Sequence, residues 1–411
     1  MRILLIGLNF DPEPIGVAPY TAGLFDHLST AGHEVVAVVG VPHYPAWVRD
    51  PAYRRHRTMI ERRGSGLVRR KSHYVPRHPA LMGRLAMEAT FAFRVAFSAW
   101  RRADLVVAVS PSLLSSAVSV VAARVHRKPV VVWSQDLYGN GAAETRIAHG
   151  LPATLVRRLE SAVLRAADRV VVPHPRLAES VVHENGVSRA NVRSVRNWTR
   201  PPAPGRDEPG QMPSALSDLC GRAYVLHVGN IGHKQGLEHL VDCARYAADA
   251  GDCLTFVILG DGSRRRAVQE YAQGVPNILF LDLLPDRQFH QLLEGARVLV
   301  VNEAPGIREM AMPSKLSAYF AAGRPIVAAV DPTSATAEEV NDSCAGIVVS
   351  NTDPAEFVMA VRRLIEDPRE AHCRGKNGLA YSRRVLSAHA CLTQWDEVLA
   401  SARERGVNVH R

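Results

Sequence analysis

At 411 residues and 47% hydrophobic, the chain is too long for a single core and suggests two α/β domains. Its net charge of +10 and pI near 9.6 favour acidic partners: phosphates, nucleotides, anionic lipids or nucleic acid. No run of about 18 apolar residues is present to span a membrane, Met1 leads straight into a strand with no signal peptide, and the six cysteines (220, 243, 253, 344, 373, 391) show no Cys-x-x-Cys or zinc spacing, as expected of reduced thiols in a cytosolic protein.

Residues 2–7, with Ile-Leu-Leu-Ile inside, read as a buried strand. Residues 9–19 form a loop with three prolines and Gly16. A helix over 20–31 ends at Gly32, and 34–39 is the second strand. This is a βαβ unit whose first loop leaves the strand's carboxyl end, where open α/β sheets bind ligands. Gly16 would let backbone approach such a ligand; the alternative is an ordinary loop glycine.

Between residues 49 and 102, fourteen Lys or Arg face only Asp50, Glu61 and Glu88. A helix is expected over 82–100, carrying Leu85, Phe91, Phe93, Phe97 and Trp100 among small residues. Arginine and aromatic side chains on one helix describe an interfacial membrane segment. The alternative is a core helix after a solvated basic loop. Nucleic acid is not expected, because no binding module accompanies the charge.

Strands follow at 105–109 and 129–133, separated by a helix over 112–126. The second ends in Ser134-Gln135-Asp136, a carboxylate at a strand's carboxyl end; it is either a site residue or a cap. A helix over 156–167 and a strand ending at His174 come next, then a short strand at 192–195. Residues 197–212, rich in Pro, Gly and charge, mark a linker.

The alternation then restarts. A strand at 223–228 runs into Gly229-Asn230-Ile231-Gly232-His233-Lys234-Gln235-Gly236 and a helix. Glycines between strand and helix cradle phosphates, although the spacing is not that of a dinucleotide fingerprint. Strands at 254–259, ending Gly260-Asp261-Gly262, and at 277–281, followed by Asp282-Leu283-Leu284, continue the pattern. Residues 296–301 are a strand, Pro313 and Ser314 open a helix with Ser314 as its cap, and Gly323 closes it before a strand at 326–330. The start of that helix is an anion site to which Lys315 adds a full charge; the alternative is an ordinary crossover with a cap and a surface lysine. A strand at 346–349, a helix near 354–366 and a terminal helix over about 380–402 complete the chain.

Assembled, these residues resemble a retaining glycosyltransferase of family 4, over nearly the whole length, and within it the colanic-acid or exopolysaccharide type. The blocks that carry the resemblance are Phe10-Asp-Pro-Glu-Pro-Ile-Gly-Val-Ala-Pro-Tyr20, Gly32-His-Glu-Val35, Pro42-His-Tyr-Pro-Ala-Trp47, Trp133-Ser-Gln-Asp136, Gly229 to Gly236, Gly260-Asp-Gly262, Pro313-Ser-Lys-Leu316 and Gly323-Arg-Pro325. The family implies an α/β fold of GT-B type, two facing Rossmann-like domains with a cleft between them. On that pattern residues 1–198 are the acceptor-side domain, 199–215 the linker and 216–387 the nucleotide-sugar domain. A final helix over about 388–411 packs back on the first domain, and Trp395 fits that docking.

The resemblance also implies roles. Gly16, Gly229, Asn230, Gln235, Gly262, Leu283, Ser314 and Leu316 would bind the donor, with Lys234 and Lys315 along its diphosphate. Gln135 and Asp136 would sit beside sugar and acceptor, with Tyr20 and His174 also on the acceptor side. Asp136, Lys234 and Lys315 are the catalytic candidates. Three departures stand out: Asn230 replaces the family's arginine, Gln235 stands where its lysine before Gly236 belongs, with Lys234 displaced by one, and Met310 and Ala318 fall where its paired glutamates belong, which puts ribose recognition and activity in doubt. The implied reaction moves a sugar from a nucleotide-diphosphate sugar to a glycan or polyprenyl-linked acceptor, needs no metal or cofactor, and takes place in the cytoplasm on an anionic inner membrane face. Cations and helix N-termini would stabilise the departing diphosphate.

Three other readings remain. A nucleotide-sugar 2-epimerase shares the architecture and would use Asp136 and His174 as acid–base groups. A nicotinamide dehydrogenase is disfavoured by the glycine spacing. A non-catalytic nucleotide-sugar-binding subunit is consistent with the missing glutamates.

Overall fold

The computed structural model describes residues 1–14, 16–53, 57–77, 81–137, 151–199, 219, 223–307 and 315–409. The chain divides into two compact units, residues 1–197 with 389–411, and residues 198–388. Among the described residues no helix is long and apolar enough to cross a membrane.

The first unit runs β1 (Arg2–Gly7), α1 (Ala18–Thr30), β2 (Glu34–Gly40), β3 (Thr58–Arg63), β4 (Gly66–Lys71), α2 (Leu81–Ala96), β5 (Leu105–Ser110), α3 (Leu113–Val125), β6 (Val130–Ser134), α4 (Leu151–Ala166), β7 (Arg169–Val172), α5 (Pro175–His183) and β8 (Val192–Ser194). Its sheet order is β3-β4-β2-β1-β5-β6-β7-β8. All pairings are parallel except β3 with β4. The central strands are continuous apolar runs because helices cover both faces: every residue of β5 and β6 is buried.

The β3–β4 hairpin is the main departure from the expected elements. It falls inside the basic stretch, and β3 alternates exposed and half-buried residues as the sheet's edge strand while β4 inside it alternates buried and half-buried ones. Its arginines are engaged. Arg63 donates to Asp26 at 2.7 Å and Asp11 at 2.8 Å, and the buried Arg70 donates to Glu61 at 2.7 Å and lies over Phe10 and Tyr53. These two charges are thus neutralised within the unit and leave the basic surface.

A second correction concerns the aromatic helix. It stops at Ala96, and Trp100 lies in a separate turn over Trp100–Arg102, buried, with its indole N–H donating to the Ala96 carbonyl at 3.0 Å. Phe91 is also core, whereas Phe93 and Phe97 face solvent.

The second unit runs β9 (Tyr224–Val228), α6 (Glu238–Asp249), β10 (Thr255–Leu259), α7 (Arg265–Tyr271), β11 (Ile278–Leu281), α8 (Asp286–Gly295), β12 (Val298–Asn302), α9 (Lys315–Ala322), β13 (Ile326–Ala329), α10 (Ala335–Asp342), β14 (Gly346–Val349), α11 (Pro354–Glu366) and α12 (Pro368–Val385). The sheet is wholly parallel, in the order β11-β10-β9-β12-β13-β14. Strand order reverses between β9 and β12, so the crevice beyond their carboxyl ends is where such sheets take ligands. Alternate strand residues feed two separate cores: Leu226, Leu299 and Phe320 in one, Val225, Val300 and Phe357 in the other. Each fully buried side chain of this size contributes about 1.5–3 kcal/mol.

The single terminal helix expected over 380–402 is two helices, α12 and α13 (Ala388–Val409). Asp367 caps α12 by accepting from the Arg369 and Glu370 N–H groups, with Pro368 in its first turn. The break at Leu386 is held by the Leu386 carbonyl, which accepts from the Thr199 N–H at 2.7 Å. Gly375 lets α12 lie against the Gly323 turn, since a β-carbon there would meet the Gly323 carbonyl oxygen at 2.1 Å.

Candidate functional site

In the second unit the chain leaves β9 through Gly229, whose φ of +127° suits only glycine. The loop that follows is tied down by its own backbone and by neighbouring strand ends. Ile231 N–H donates to the Asp261 carbonyl at 2.9 Å. Asn302, the last residue of β12, donates to the carbonyls of Gln235 at 2.7 Å and Gly236 at 3.0 Å. Gly260 must lack a β-carbon, because one would lie 1.9 Å from the Gly229 carbonyl oxygen. Gly232 and Gly262 likewise make room for the Asn230 amide, at 2.7 and 2.6 Å from where their β-carbons would be. Gln235 accepts from the Gly232 N–H at 3.1 Å, so its side chain shapes the loop itself.

Lys315 is the first residue of α9 and is half-buried. Its Cε would touch a β-carbon on Gly229 at 3.3 Å, so the side chain lies flat across that glycine. Its Nζ is 3.0 Å from His227 Nε2. Burial pushes the ammonium pKa down to about 7, opposed by the nearby Glu303 carboxylate. Burial first, and then the Lys315 charge, hold His227 well below the usual imidazole range, so its ring is neutral. Glu303, just past β12, is buried and accepts from Thr336 Oγ1 at 2.6 Å. A cation, a glycine loop and a helix start thus meet at the carboxyl ends of β9 and β12, a set suited to phosphate oxygens.

The remaining candidates of this unit are placed differently. Lys234 is half-buried in the loop's turn, where its carbonyl accepts from the Ala304 N–H at 2.8 Å. Leu316 is fully buried, so it offers a ligand only backbone. Leu283 is 72% exposed, beside an Asp282 paired at 2.5 Å with Arg265. Ser314 and Met310 lie outside the described residues, and Ala318 is half-buried on α9.

In the first unit the candidates leave the carboxyl ends of β1, β6 and β7. Gly16 has φ +73° and is exposed, with the Tyr44 ring 3.5 Å from where its β-carbon would be. Gln135 and Asn197 exchange amide hydrogen bonds at 2.7 and 3.2 Å. Asp136 is exposed, and its Oδ1 accepts from the Leu137 N–H at 3.0 Å. His174 is buried and caps α5, its Nδ1 accepting from the Arg176 N–H at 3.2 Å. Tyr20 is half-buried on α1.

Sequence reasoning missed Glu13. Its buried carboxylate accepts from the backbone N–H groups of His43 at 2.9 Å and Tyr44 at 3.0 Å, and from Asn9 Nδ2 at 2.8 Å. It staples the Gly16 loop to the loop after β2. Its only signal was membership of the Phe10–Tyr20 block. Next to it the buried His73 ring is pushed down to about 4 by burial and by His43, and so is neutral at pH 7.

A family model described as "Glycosyl transferases group 1" matches residues 222–367, and one described as "Glycosyl transferase 4-like domain" matches residues 16–198, together most of the chain. The putative colanic acid biosynthesis glycosyl transferase WcaI of Escherichia coli K12 is 28% identical over 337 residues, covering 79% of this chain and 82% of its own. Among solved structures, sucrose-phosphate synthase from Thermosynechococcus elongatus superposes with a TM-score of 0.70 at 20% identity, over 97% of this chain and 98% of that one. Anabaena HepE, solved in complex with UDP, superposes with a TM-score of 0.69 at 16% identity, over 98% and 100%. The chain belongs to the group 1, family 4-like glycosyltransferases and has the GT-B fold of two Rossmann-like domains.

Proposed function

We propose that this glycosyltransferase takes a nucleotide-diphosphate sugar as donor and transfers the sugar with retention of configuration. The acceptor is a glycan or polyprenyl-linked saccharide of the cell envelope, met at the cytoplasmic face of an anionic membrane. The observation that carries the donor reading is Lys315 lying across Gly229 at the start of α9. As the glycosidic bond breaks, negative charge grows on the outer phosphate, and a cation with helix N–H groups stabilises it there more than in the ground state. Lys315 and Lys234 supply that charge from the protein, which is the basis for a metal-independent reading. The departing phosphate can itself take the acceptor proton, so no dedicated nucleophile is required. Asp136, an exposed carboxylate at the end of β6, then orients the acceptor.

HepE, solved in complex with UDP, supports the donor class, and the WcaI relative supports exopolysaccharide synthesis. The membrane reading is supported by α2 and the turn after it, where Met82, Phe93 and Phe97 face solvent at 76%, 64% and 73% exposure.

The test is incubation with a panel of nucleotide sugars, with and without polyprenyl-phosphate-linked acceptors, in the presence of EDTA. Acceptor-dependent transfer with an unchanged anomeric configuration by NMR is expected. Isomerised sugar nucleotide in the absence of acceptor would identify an epimerase instead, and binding without transfer to any acceptor a non-catalytic subunit.

A further inference from the structure

His227 is a polar side chain where the sheet calls for an apolar one. It is fully buried in β9, between Leu226 and Val228, and its register partners Ile258 and Val300 are fully buried apolar residues. Burying an imidazole there is unfavourable unless it is hydrogen-bonded. Its partner is Lys315, with Nζ 3.0 Å from Nε2. Two basic nitrogens at that distance cannot both point a hydrogen at the other, so the ring nitrogen is the acceptor and the ammonium the donor.

We propose that His227 is a positioning residue for donor binding: its neutral ring holds the Lys315 ammonium over Gly229, where the diphosphate enters. This rests on the reading of Lys315 and the Gly229–Gly236 loop as the donor-diphosphate site, and adds the group behind it. The geometry explains why Lys315 lies across Gly229 and does not extend into solvent. A β-carbon at 229 would press on the Lys315 stem at 3.3 Å and displace Nζ from the ring.

Among the described residues the titratable groups around the pair are Glu303, just past β12, and Tyr319 on α9, whose hydroxyl accepts from the Val228 N–H and donates to the Val300 carbonyl beside His227. Tyr319 keeps its proton, since burial raises its pKa and its hydroxyl donates to the Val300 carbonyl at 3.1 Å. Glu303 favours the charged lysine. With Lys315 lowered to about 7, the free site holds a full ammonium below that pH and loses it above, and a bound diphosphate draws the proton back. Removing the ring acceptor lowers the ammonium's stability further.

The experiment is calorimetric titration with UDP, GDP and ADP from pH 6 to 9, in two buffers of different ionisation enthalpy, for the wild type, His227→Phe, His227→Gln and Lys315→Ala. Thermal melting checks folding. For the wild type, affinity should fall toward tenfold per pH unit above about pH 7, with proton uptake at pH 8, above the last phosphate ionisation near 6. His227→Phe should weaken binding about tenfold at pH 7 and move the onset of the fall to lower pH. His227→Gln, whose side-chain carbonyl is also an acceptor, should recover most of that loss. In a Lys315→Ala background, His227→Gln should have no further effect, which keeps the test open if His227→Phe does not fold. A folded His227→Phe with wild-type affinity and pH profile overturns the inference, as does a His227→Gln effect that persists without Lys315. A wild type that binds none of the three nucleotides overturns the donor reading itself.

Discussion

Trp133 and Trp395 meet edge to face with ring centroids 4.8 Å apart, both fully buried within the first unit. Trp133 is the penultimate residue of β6, immediately before the Ser134-Gln135-Asp136 turn, and Trp395 lies on α13. Further bonds fix that helix. Arg169 donates to Ser401 Oγ at 3.0 Å and to its carbonyl at 3.2 Å, and His27 Nε2 is 3.0 Å from Asp396. The last helix therefore builds the floor under the loop that carries Asp136.

Trp395→Ala should destabilise the first unit by about 3–5 kcal/mol, the cost of a cavity left by a fully buried aromatic. Urea unfolding followed by hydrogen exchange should show the loss concentrated in β6 and β7. An unchanged midpoint, or a loss spread evenly into the second unit, would mean that the two rings are not a packing centre.

Lys315→Ala should weaken nucleoside-diphosphate binding by about 1–3 kcal/mol, as loss of a charge-assisted contact does. There is also a stability consequence. The folded pKa, near 7, is below the unfolded value of 10.5, so between those pH values the unfolded chain binds more protons. This lysine therefore costs stability below pH 7, and the cost is relieved as pH rises from 7 toward 10. Without ligand, Lys315→Met should be more stable than the wild type at pH 6, with the gap closing by pH 10. Melting curves across that range check the sign, and a gap that widens with pH would refute it.

The parallel strands and glycine loops were legible because each is a short-range pattern: an apolar run, then glycines, then a helix start. Gly229, Gly260 and Gly262 sit in such runs, and α11 was placed where it is found. Long-range partners were not legible. His227 and Lys315 are 88 positions apart, and Glu13 is 30 from His43, with no local spacing to pair them. Charge density misled for a related reason. Composition counts Arg63 and Arg70 as free cations, whereas antiparallel pairing of β3 with β4 brings them to Asp11, Asp26 and Glu61. Helices α5, α8 and α10 and the start of α12 have no counterpart in the sequence reading, although Pro175, Asp286 after Pro285, Ser334 and Asp367-Pro368 are ordinary start signals.

Asp136→Asn should leave donor affinity near wild type and lower turnover by a large factor. The carboxylate is exposed at the end of β6, and the bond it accepts from the Leu137 N–H can be kept by an asparagine carbonyl. Structure and donor binding should therefore survive while charge at the acceptor is lost, which appears in kcat more than in donor Kd. Equal turnover in the two proteins would reduce Asp136 to a turn residue.

The first unit should bind anionic membranes through one face of α2. Met82, Ala86, Ala89, Phe93 and Phe97 recur at helical spacing and are all exposed, and Phe93 and Phe97 stack edge to face at 5.2 Å. A solvated face of this kind is the apolar half of an interfacial helix. The charged half is smaller than composition implies, since Arg63 and Arg70 are internal, but Arg77 before the helix and Arg101 and Arg102 after it are exposed. Each cation near anionic lipid contributes about 1 kcal/mol. That part weakens with salt as the Debye length falls from about 10 Å at 0.1 M to about 3 Å at 1 M, whereas apolar insertion does not. Liposome flotation separates the two contributions. Binding should rise with the fraction of anionic lipid and fall with salt. It should fall further in Phe93→Ser/Phe97→Ser, which removes exposed rings and so should melt like the wild type. Trp100→Ser is the contrasting variant: it should destabilise the fold, because Trp100 is core and not surface. Flotation indifferent to lipid charge, or unchanged in the double variant, would detach α2 from the membrane and point to an acceptor taken from solution.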